Sequence, residues 1–226
     1  MEYNPISAGS IDRSTGYFWI YPYRRETGNM KQMTFRQYRG MDVAMFTILL
    51  CVCETLITLA ATRWFPGEPY TLSITPAVTA LVMVRWGWQG AIPAVLGALV
   101  FCIFSGAAAG QYLIYCAGNL AVLAMLAFLK RFSWQRLHEQ VLLTLLYGGM
   151  TALAMQLGRG LIALLLGTPP AVCAGFITTD VLSMLFAALI VWIARRQDGM
   201  LEEQKHYLRR VAEEQEKARA NDPWQD

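Results

Sequence analysis

The stretch that decides the fold is residues 70–119, YTLSITPAVTALVMVRWGWQGAIPAVLGALVFCIFSGAAAGQYLIYCAGN. Two apolar blocks are joined by the hinge RWGWQG, and a loop of small residues leads to a third block that ends at Asn119. The blocks are too apolar for the surface of a soluble protein and too rich in Gly, Pro and Ala for a simple anchor. Small residues let helix backbones approach closely in lipid, where no hydrophobic force drives helices together. The stretch therefore predicts packed, turning membrane helices in a polytopic protein.

The composition of the whole chain points the same way. Of its 226 residues, 55% are hydrophobic and 15% are charged, and the charges concentrate near the two ends. The mean hydropathy of +0.35 is modest because a polar N-terminal arm and a charged tail dilute a very apolar middle. The arm has no apolar run of the kind a signal peptide needs, so we expect the first membrane helix to direct insertion.

The apolar pattern predicts an all-α membrane protein with six transmembrane helices. They are expected at residues 41–64, 72–84, 91–104, 111–129, 139–166 and 171–194. This gives three parts: a cytoplasmic arm (1–39), a six-helix membrane domain (40–196) and a charged, helical cytoplasmic tail (197–226). We expect the tail to be dispensable for ligand binding.

Basic residues near the helix ends predict the orientation. They alternate along the chain so that one side of the bilayer carries nearly all of them: Arg36, Arg39, Arg85, Lys130, Arg131, Arg136, Arg195 and Arg196. The opposite loops hold only Arg63 and Glu68. Because cytoplasmic loops carry the excess of Lys and Arg, both termini are predicted to be cytoplasmic, in a multi-pass protein of the bacterial plasma membrane.

The sequence predicts a protein that is not an enzyme and uses no cofactor. It has no Gly-rich phosphate loop, no His-Glu-x-x-His and no Gly-x-Ser-x-Gly. All five cysteines lie in apolar blocks without a Cys-x-x-Cys pair, so we interpret them as small hydrophobic side chains and expect no metal site.

Polar side chains at membrane depth mark the candidate site. Such groups are energetically unfavourable in lipid, so a functional role is the first hypothesis for them. They are Glu54, Asn119, Gln156, Arg159 and Asp180. At about 1.5 Å of rise per residue, all five lie about 12–16 Å below the outer helix ends. Groups from four predicted helices thus share one layer in the outer half, which predicts a substrate-binding pocket. The alternative is a structural network that holds the bundle together.

Within this layer, Arg159 and Asp180 are expected to pair. The predicted fifth and sixth helices are joined by the short turn at residues 167–170, so they are antiparallel neighbours, and the two side chains lie at matching depths. We interpret the pair as a ligand clamp, in which Arg159 contacts an acidic or carbonyl group of the ligand.

Three of these features together resemble the substrate-binding S component of an energy-coupling factor (ECF) importer. They are six spans with both ends inside, a prolyl loop after the first helix, and the turn Trp-Gly-x-x-Gly-Ala at residues 86–91. The resemblance covers residues 40–196. It implies a high-affinity receptor for a vitamin or related micronutrient, bound in the outer half beneath the loop at residues 66–71.

The resemblance also implies partners: a transmembrane coupling subunit, two ATPase subunits and the lipid bilayer, with no nucleic acid. Family members dock through small residues on the first helix, and Gly40 and Ala44 are the nearest equivalents here. Metal-importing relatives begin Met-His, whereas this chain begins Met-Glu, which argues against nickel or cobalt. Two other functions stay open: a membrane sensor or scaffold that presents the charged tail helix, and a channel or secondary transporter working alone.

Overall fold

The computed structural model describes residues 35–65, 72–132, 134–197 and 200–220. Every regular element in these ranges is helical, which confirms the all-α prediction. The helices are α1 (Phe35–Trp64), α2 (Thr75–Trp86), α3 (Ala91–Phe104), α4 (Ala109–Asn119), α5 (Met125–Phe132), α6 (Trp134–Glu139), α7 (Val141–Leu165), α8 (Pro170–Thr179), α9 (Val181–Ala194) and α10 (Gln204–Ala220). Short 3₁₀ turns join α2 to α3 (Gly87–Gly90) and α4 to α5 (Leu120–Ala124). Residues 1–34 of the predicted N-terminal arm and the loop at 66–71 lie outside the described residues, whereas residues 35–39 of that arm are the first turn of α1.

Five helical segments among the described residues are long and apolar enough to span a membrane. They are Phe35–Trp64, Thr75–Phe104, Ala109–Phe132, Val141–Leu165 and Pro170–Ala194. Large apolar side chains also remain on the outside of α1, including Met45, Ile48, Val52 and Leu56, each more than half exposed. An exposed apolar face of this extent suits lipid and not water. The chain is therefore built as a membrane protein.

The segment Thr75–Phe104 folds back on itself. A Cβ atom added to Gly97 on α3 would collide with the Thr75 side chain at the start of α2, and one added to Gly90 would collide with Met83. In one continuous helix, Thr75 and Gly97 would lie about 33 Å apart. The turn begins at Gly87, whose φ of +64° is costly for residues with a Cβ atom. Helices α2 and α3 thus form an antiparallel hairpin of short helices, and α2 is only about 18 Å long.

Helix α7 lies at the centre of the bundle and packs against α2, α4, α8 and α9. Its closest approach to α4 is at Gly118 and Gly158. A Cβ atom on Gly118 would lie 2.6 Å from the Cα of Arg159, too close for any side chain. This crossing brings the backbone of Arg159 directly against the last turn of α4, so the small residues fix where its side chain can reach.

Two predicted helices are interrupted in the structure. The helix expected at 111–129 changes to a 3₁₀ turn immediately after Asn119, and the one expected at 171–194 breaks at Asp180, where φ is −107° and ψ is 15°. Before this break, the hydroxyls of Thr178 and Thr179 both donate to the carbonyl of Gly175, at 3.3 and 2.8 Å. Such side-chain bonds compete with the helical backbone pattern. Both interruptions fall at predicted site residues.

The chain divides into two compact units. The larger is Val43–Glu203, and its apolar core includes Leu201 at 1% exposure, so the unit extends beyond the predicted boundary at 196. The smaller comprises Met1–Asp42 and Gln204–Asp226. Its described part includes α10, where Arg210 lies 4.0 Å from Glu214. The helix of the predicted tail (197–226) begins at Gln204, because residues 200–202 form a turn.

Candidate functional site

A small cavity lies inside the larger unit, at the layer where the sequence predicted a site. Its volume is about 10 Å³, which is room for one water molecule. The lining comes from α1, the start of α2, α3, α4, α7 and the break between α8 and α9. It comprises Glu54, Ser73, Thr75, Gly97, Ala98, Phe101, Tyr115, Arg159 and Asp180. Three of the five predicted site residues are in this set.

Glu54 is the most unusual group in the lining. It projects inward from the middle of α1 and is completely buried, although it carries a carboxyl group. Its Oε2 atom accepts a hydrogen bond of 3.1 Å from the backbone N–H of Ile74, at the start of α2. The positive end of a helix dipole stabilises negative charge at this position. Among the described residues, Oε1 of Glu54 has no hydrogen-bond partner.

Hydroxyl groups at the start of α2 surround this carboxyl. The backbone N–H of Ser73 donates to Oγ of Ser183 at 2.9 Å, which ties the entry of α2 to α9. The N–H of Thr75 donates to Oγ of Ser73 at 3.2 Å. Within the described chain, the Thr75 hydroxyl has no partner of its own. The lining thus presents two buried oxygen atoms, one from a carboxyl and one from a hydroxyl, whose hydrogen bonds are unmade.

Arg159 and Asp180 face the cavity from α7 and from the helix break. Nη1 of Arg159 lies 3.1 Å from Oδ2 of Asp180, and the two side chains are 8% and 4% exposed. This confirms the predicted pairing of these two residues. Nε of Arg159 also donates to Oδ1 of Asn119 at 2.8 Å. Arg159 is therefore held by two partners at once.

Asn119 and Gln156 support this pair and do not line the cavity. The amide of Asn119 donates to the carbonyl of Ala94 on α3 at 2.8 Å, so the same side chain links α3, α4 and α7. The amide of Gln156 donates to the backbone carbonyl of Asp180 at 3.2 Å. The structure thus brings all five predicted residues into one layer. Asn119 and Gln156 hold their neighbours in place there.

Aromatic rings complete the wall, and the sequence prediction missed them. The ring centroids of Phe101 and Tyr115 are 5.1 Å apart, and Phe176 packs edge-on against Tyr115 at 6.0 Å. The Arg159 guanidinium lies over the Tyr115 ring, 4.9 Å from its centroid. A helical signal was available, because Tyr115 precedes Asn119 by four residues and shares its face. Phe101 and the hydroxyl residues carried no comparable signal.

The predicted docking residues lie elsewhere, on the exposed surface of α1. Gly40 and Ala44 are both exposed, and a Cβ atom on Gly40 would meet nothing within 4 Å. Their role in docking stays a prediction. The five cysteines are free thiols, and only Cys102 is buried.

Comparison with protein-family models, with curated proteins and with solved structures finds no match for this chain. Its function therefore rests on the chemistry of the site. A carboxyl oxygen with an unmade hydrogen bond, a hydroxyl beside it, a fixed guanidinium and two aromatic walls form a surface that can bind a small molecule and orient it.

Proposed function

We propose that this protein is the substrate-binding S component of an ECF-type importer in the bacterial plasma membrane. In this role it is a high-affinity receptor that binds a vitamin or related micronutrient in the outer half of its helix bundle. It passes the ligand on by docking to a transmembrane coupling subunit driven by two ATPase subunits. The receptor itself performs no chemistry on the ligand.

The observation that carries the proposal is the unmade hydrogen bond of Glu54 inside a membrane-spanning bundle. Buried polar groups in folded proteins are nearly always hydrogen-bonded, and each exception calls for an explanation. Arg159, Asn119 and Asp180 satisfy one another, whereas Oε1 of Glu54, which lines the cavity, and Oε1 of Gln156, which does not, have no partner among the described residues. A ligand that completes the bonds of Glu54 supplies the explanation.

Interrupted helices at the same layer support a transport role. Substrate sites in membrane transporters are typically formed where helices break near the midplane, since broken helices expose backbone groups and helix ends to the ligand. Here the short helix α2 begins beside Glu54, and breaks follow Asn119 and coincide with Asp180. The start of α2 and the break at Asp180 therefore lie at the cavity, and the break after Asn119 lies in the same layer.

A count of six spans follows if the short helices α2 and α3 each cross the bilayer. The segment Thr75–Phe104 then contributes two spans instead of one, which raises the count from five to six. An even number of crossings puts both termini on the same side of the membrane. The positive charges support a cytoplasmic assignment for the end of the bundle that holds the α2–α3 turn. Arg85 there lies over the Phe46 ring at 5.4 Å, and cytoplasmic ends of membrane helices are enriched in such basic residues.

The size of the cavity adds one requirement to the proposal. A volume of about 10 Å³ is far below the roughly 300 Å³ or more of a typical small-molecule pocket. The form described here is therefore a closed one, and a vitamin-sized ligand needs the surrounding helices to move apart. Substrate-dependent opening of this kind is common in ligand-binding proteins.

Reconstituted transport tests the proposal. The chain is co-expressed with the coupling and ATPase subunits of an ECF module from the same source, purified as a complex and placed in liposomes with a pool of candidate vitamins. We expect uptake of one vitamin from the pool. This uptake should require ATP on the side of the membrane that carries the ATPase subunits, and it should stop when these subunits are inactivated. Uptake by this chain alone would favour a stand-alone transporter. A complex that never forms, together with a cytoplasmic regulator bound to α10, would favour the scaffold.

A further inference from the structure

The charged groups that line the cavity do not balance. The lining contains two carboxyl groups, Glu54 and Asp180, and one guanidinium, Arg159. Arg159 is already engaged by Asp180 at 3.1 Å and by Asn119 at 2.8 Å. Glu54 lies in no ion pair with a described residue. Its Oε2 atom accepts a hydrogen bond from the backbone N–H of Ile74, the Ser73 and Thr75 hydroxyls lie beside the carboxyl, and Oε1 has no hydrogen-bond partner among the described residues. When Glu54 is ionised, the negative charge left over is that of its carboxylate.

With Glu54 ionised, a cationic ligand removes this imbalance and an anionic ligand increases it. An anionic ligand would add a second unbalanced negative charge to a buried site, where an uncompensated charge is strongly destabilising. Arg159 could accept an anion only by giving up part of its contact with Asp180. A cationic group with N–H donors meets Oε1 of Glu54 directly, and a charge-assisted hydrogen bond of this kind is about twice as strong as a neutral one.

We propose that the ligand enters this cavity with a cationic nitrogen group that donates N–H bonds to Oε1 of Glu54 and that Glu54 selects for positive charge. The inference rests on the proposed function, since it names the substrate class of the same site. It also revises the expectation from sequence, in which Arg159 met an acidic or carbonyl group of the ligand. Arg159 instead holds Asp180 and Asn119 and shapes the wall.

The dimensions and the walls agree with this class of ligand. A space of about 10 Å³ matches one water-sized group, which is also the size of an ammonium group. The Thr75 hydroxyl offers a second acceptor beside Glu54. Phe101 and Tyr115 then provide ring surfaces against which the body of the ligand can pack, and aromatic faces attract cations. A small organic cation with an aromatic or heteroaromatic body fits these three features.

A series of three probes of equal shape tests the charge preference. Benzamidine, benzamide and benzoate share a ring and a planar three-atom head, and they carry a positive charge, no charge and a negative charge at neutral pH. Each is titrated into the purified full-length protein in nanodiscs, and the thermal unfolding midpoint gives the apparent affinity. We expect the midpoint to rise with benzamidine and the affinity to fall at least ten-fold for benzamide, with no response to benzoate.

Two variants and one salt comparison make the test specific. Glu54→Gln keeps the size of the side chain and removes its charge, so the response to benzamidine should fall at least ten-fold. Glu213→Gln, an exposed change on α10, should leave it unaltered. Replacing sodium chloride with choline chloride at equal ionic strength shows whether the thermal response comes from an inorganic cation or from an organic one. A response to sodium alone, a preference for benzoate, or no difference among the three probes would overturn the inference.

The two proposals can fail separately. If ATP-dependent uptake is found but the transported molecule is an anion, the receptor role stands and the charge selection is wrong. If benzamidine binds through Glu54 but no coupling subunit is engaged, the cation site stands and the ECF role is wrong.

Discussion

Removing the charges of Arg159 and Asp180, singly and together, separates a structural ion pair from a ligand clamp. The two side chains lie 3.1 Å apart and are 8% and 4% exposed, so water cannot solvate either charge if its partner is removed. Deleting one partner of a buried pair strands the other and costs about 3–5 kcal/mol. Near the unfolding midpoint of a chain of this size, that corresponds to a fall of roughly 6–20 °C.

The double change strands no charge and should be milder than either single change. It loses the one hydrogen bond of the ion pair, between Arg159 and Asp180, which is worth about 1.5–3 kcal/mol. We therefore expect Arg159→Gln and Asp180→Asn each to destabilise the protein more than the two together. Because Arg159 and Asp180 shape the cavity wall and Glu54 makes the contact with the ligand, we expect the double variant to fold and to keep its preference for cations; a folded double variant that binds no ligand would instead identify the pair as a ligand clamp.

The assay combines thermal unfolding in one detergent with ligand affinity measured on the same preparations. The exposed pair of Arg210 and Glu214, 4.0 Å apart and 43% and 68% exposed, is a matched control. Its neutralisation should change stability by less than about 1 kcal/mol, as for surface ion pairs generally. A stable double variant with unchanged affinity would refute the clamp and leave the pair a structural one.

Three further predictions concern the tail, the docking face and the helix crossing. Truncation after Glu203, which keeps the core residues that precede it, should leave ligand affinity unchanged in a binding assay, and a folded truncation with weakened binding would contradict this. Ala44→Trp, on the exposed side of α1, should spare ligand binding but block co-purification with a coupling subunit, because helix docking needs small residues; normal assembly would show that the docking face lies elsewhere. Gly118→Ala should destabilise the protein by about 1–3 kcal/mol, since overpacking at a backbone contact forces the helices apart, whereas Gly110→Ala, with nothing within 4 Å of the new Cβ atom, should change stability little; equal unfolding midpoints for the two would mean that the crossing is not tight.

Much of the fold could be predicted because membrane helices have a strong and simple pattern. The predicted third helix, 91–104, has the bounds of α3, and α1 ends at Trp64 as expected. The first helix begins earlier, at Phe35, because polar residues can extend a helix beyond the lipid without changing its apolar pattern. The start and end of an apolar block therefore mark the membrane and not the helix.

The interior of the bundle was harder to predict, because helix breaks depend on contacts distant in sequence. The sequence is apolar on both sides of Asp180, and its helical periodicity continues through this residue. The pattern therefore gives no indication of a helix break there. The break is stabilised by local threonine bonds and by the Gln156 amide, which belongs to another helix. Similarly, the fold-back of α2 on α3 was visible in the hinge at residues 85–90, but the contact of Thr75 with Gly97 was not.

For the site, depth along each helix was enough to place the polar residues in one layer. Depth alone cannot say which way each side chain turns. Arg159 turns toward Asn119 and Asp180 because Gly118 lets α4 and α7 touch, whereas Glu54 turns toward the start of α2 and meets a backbone donor. Which polar side chains of the layer have hydrogen-bond partners, and which do not, could therefore be learned only from the structure.

Native mass spectrometry of the protein, purified in mild detergent from the membranes of its own source, tests the receptor role most directly. We expect one small molecule bound to each chain, cationic by its fragmentation, and lost in Glu54→Gln while the variant stays folded. A chain that emerges with lipid and detergent adducts alone, even when purified from cells grown in rich medium, would contradict the claim that this cavity binds a substrate.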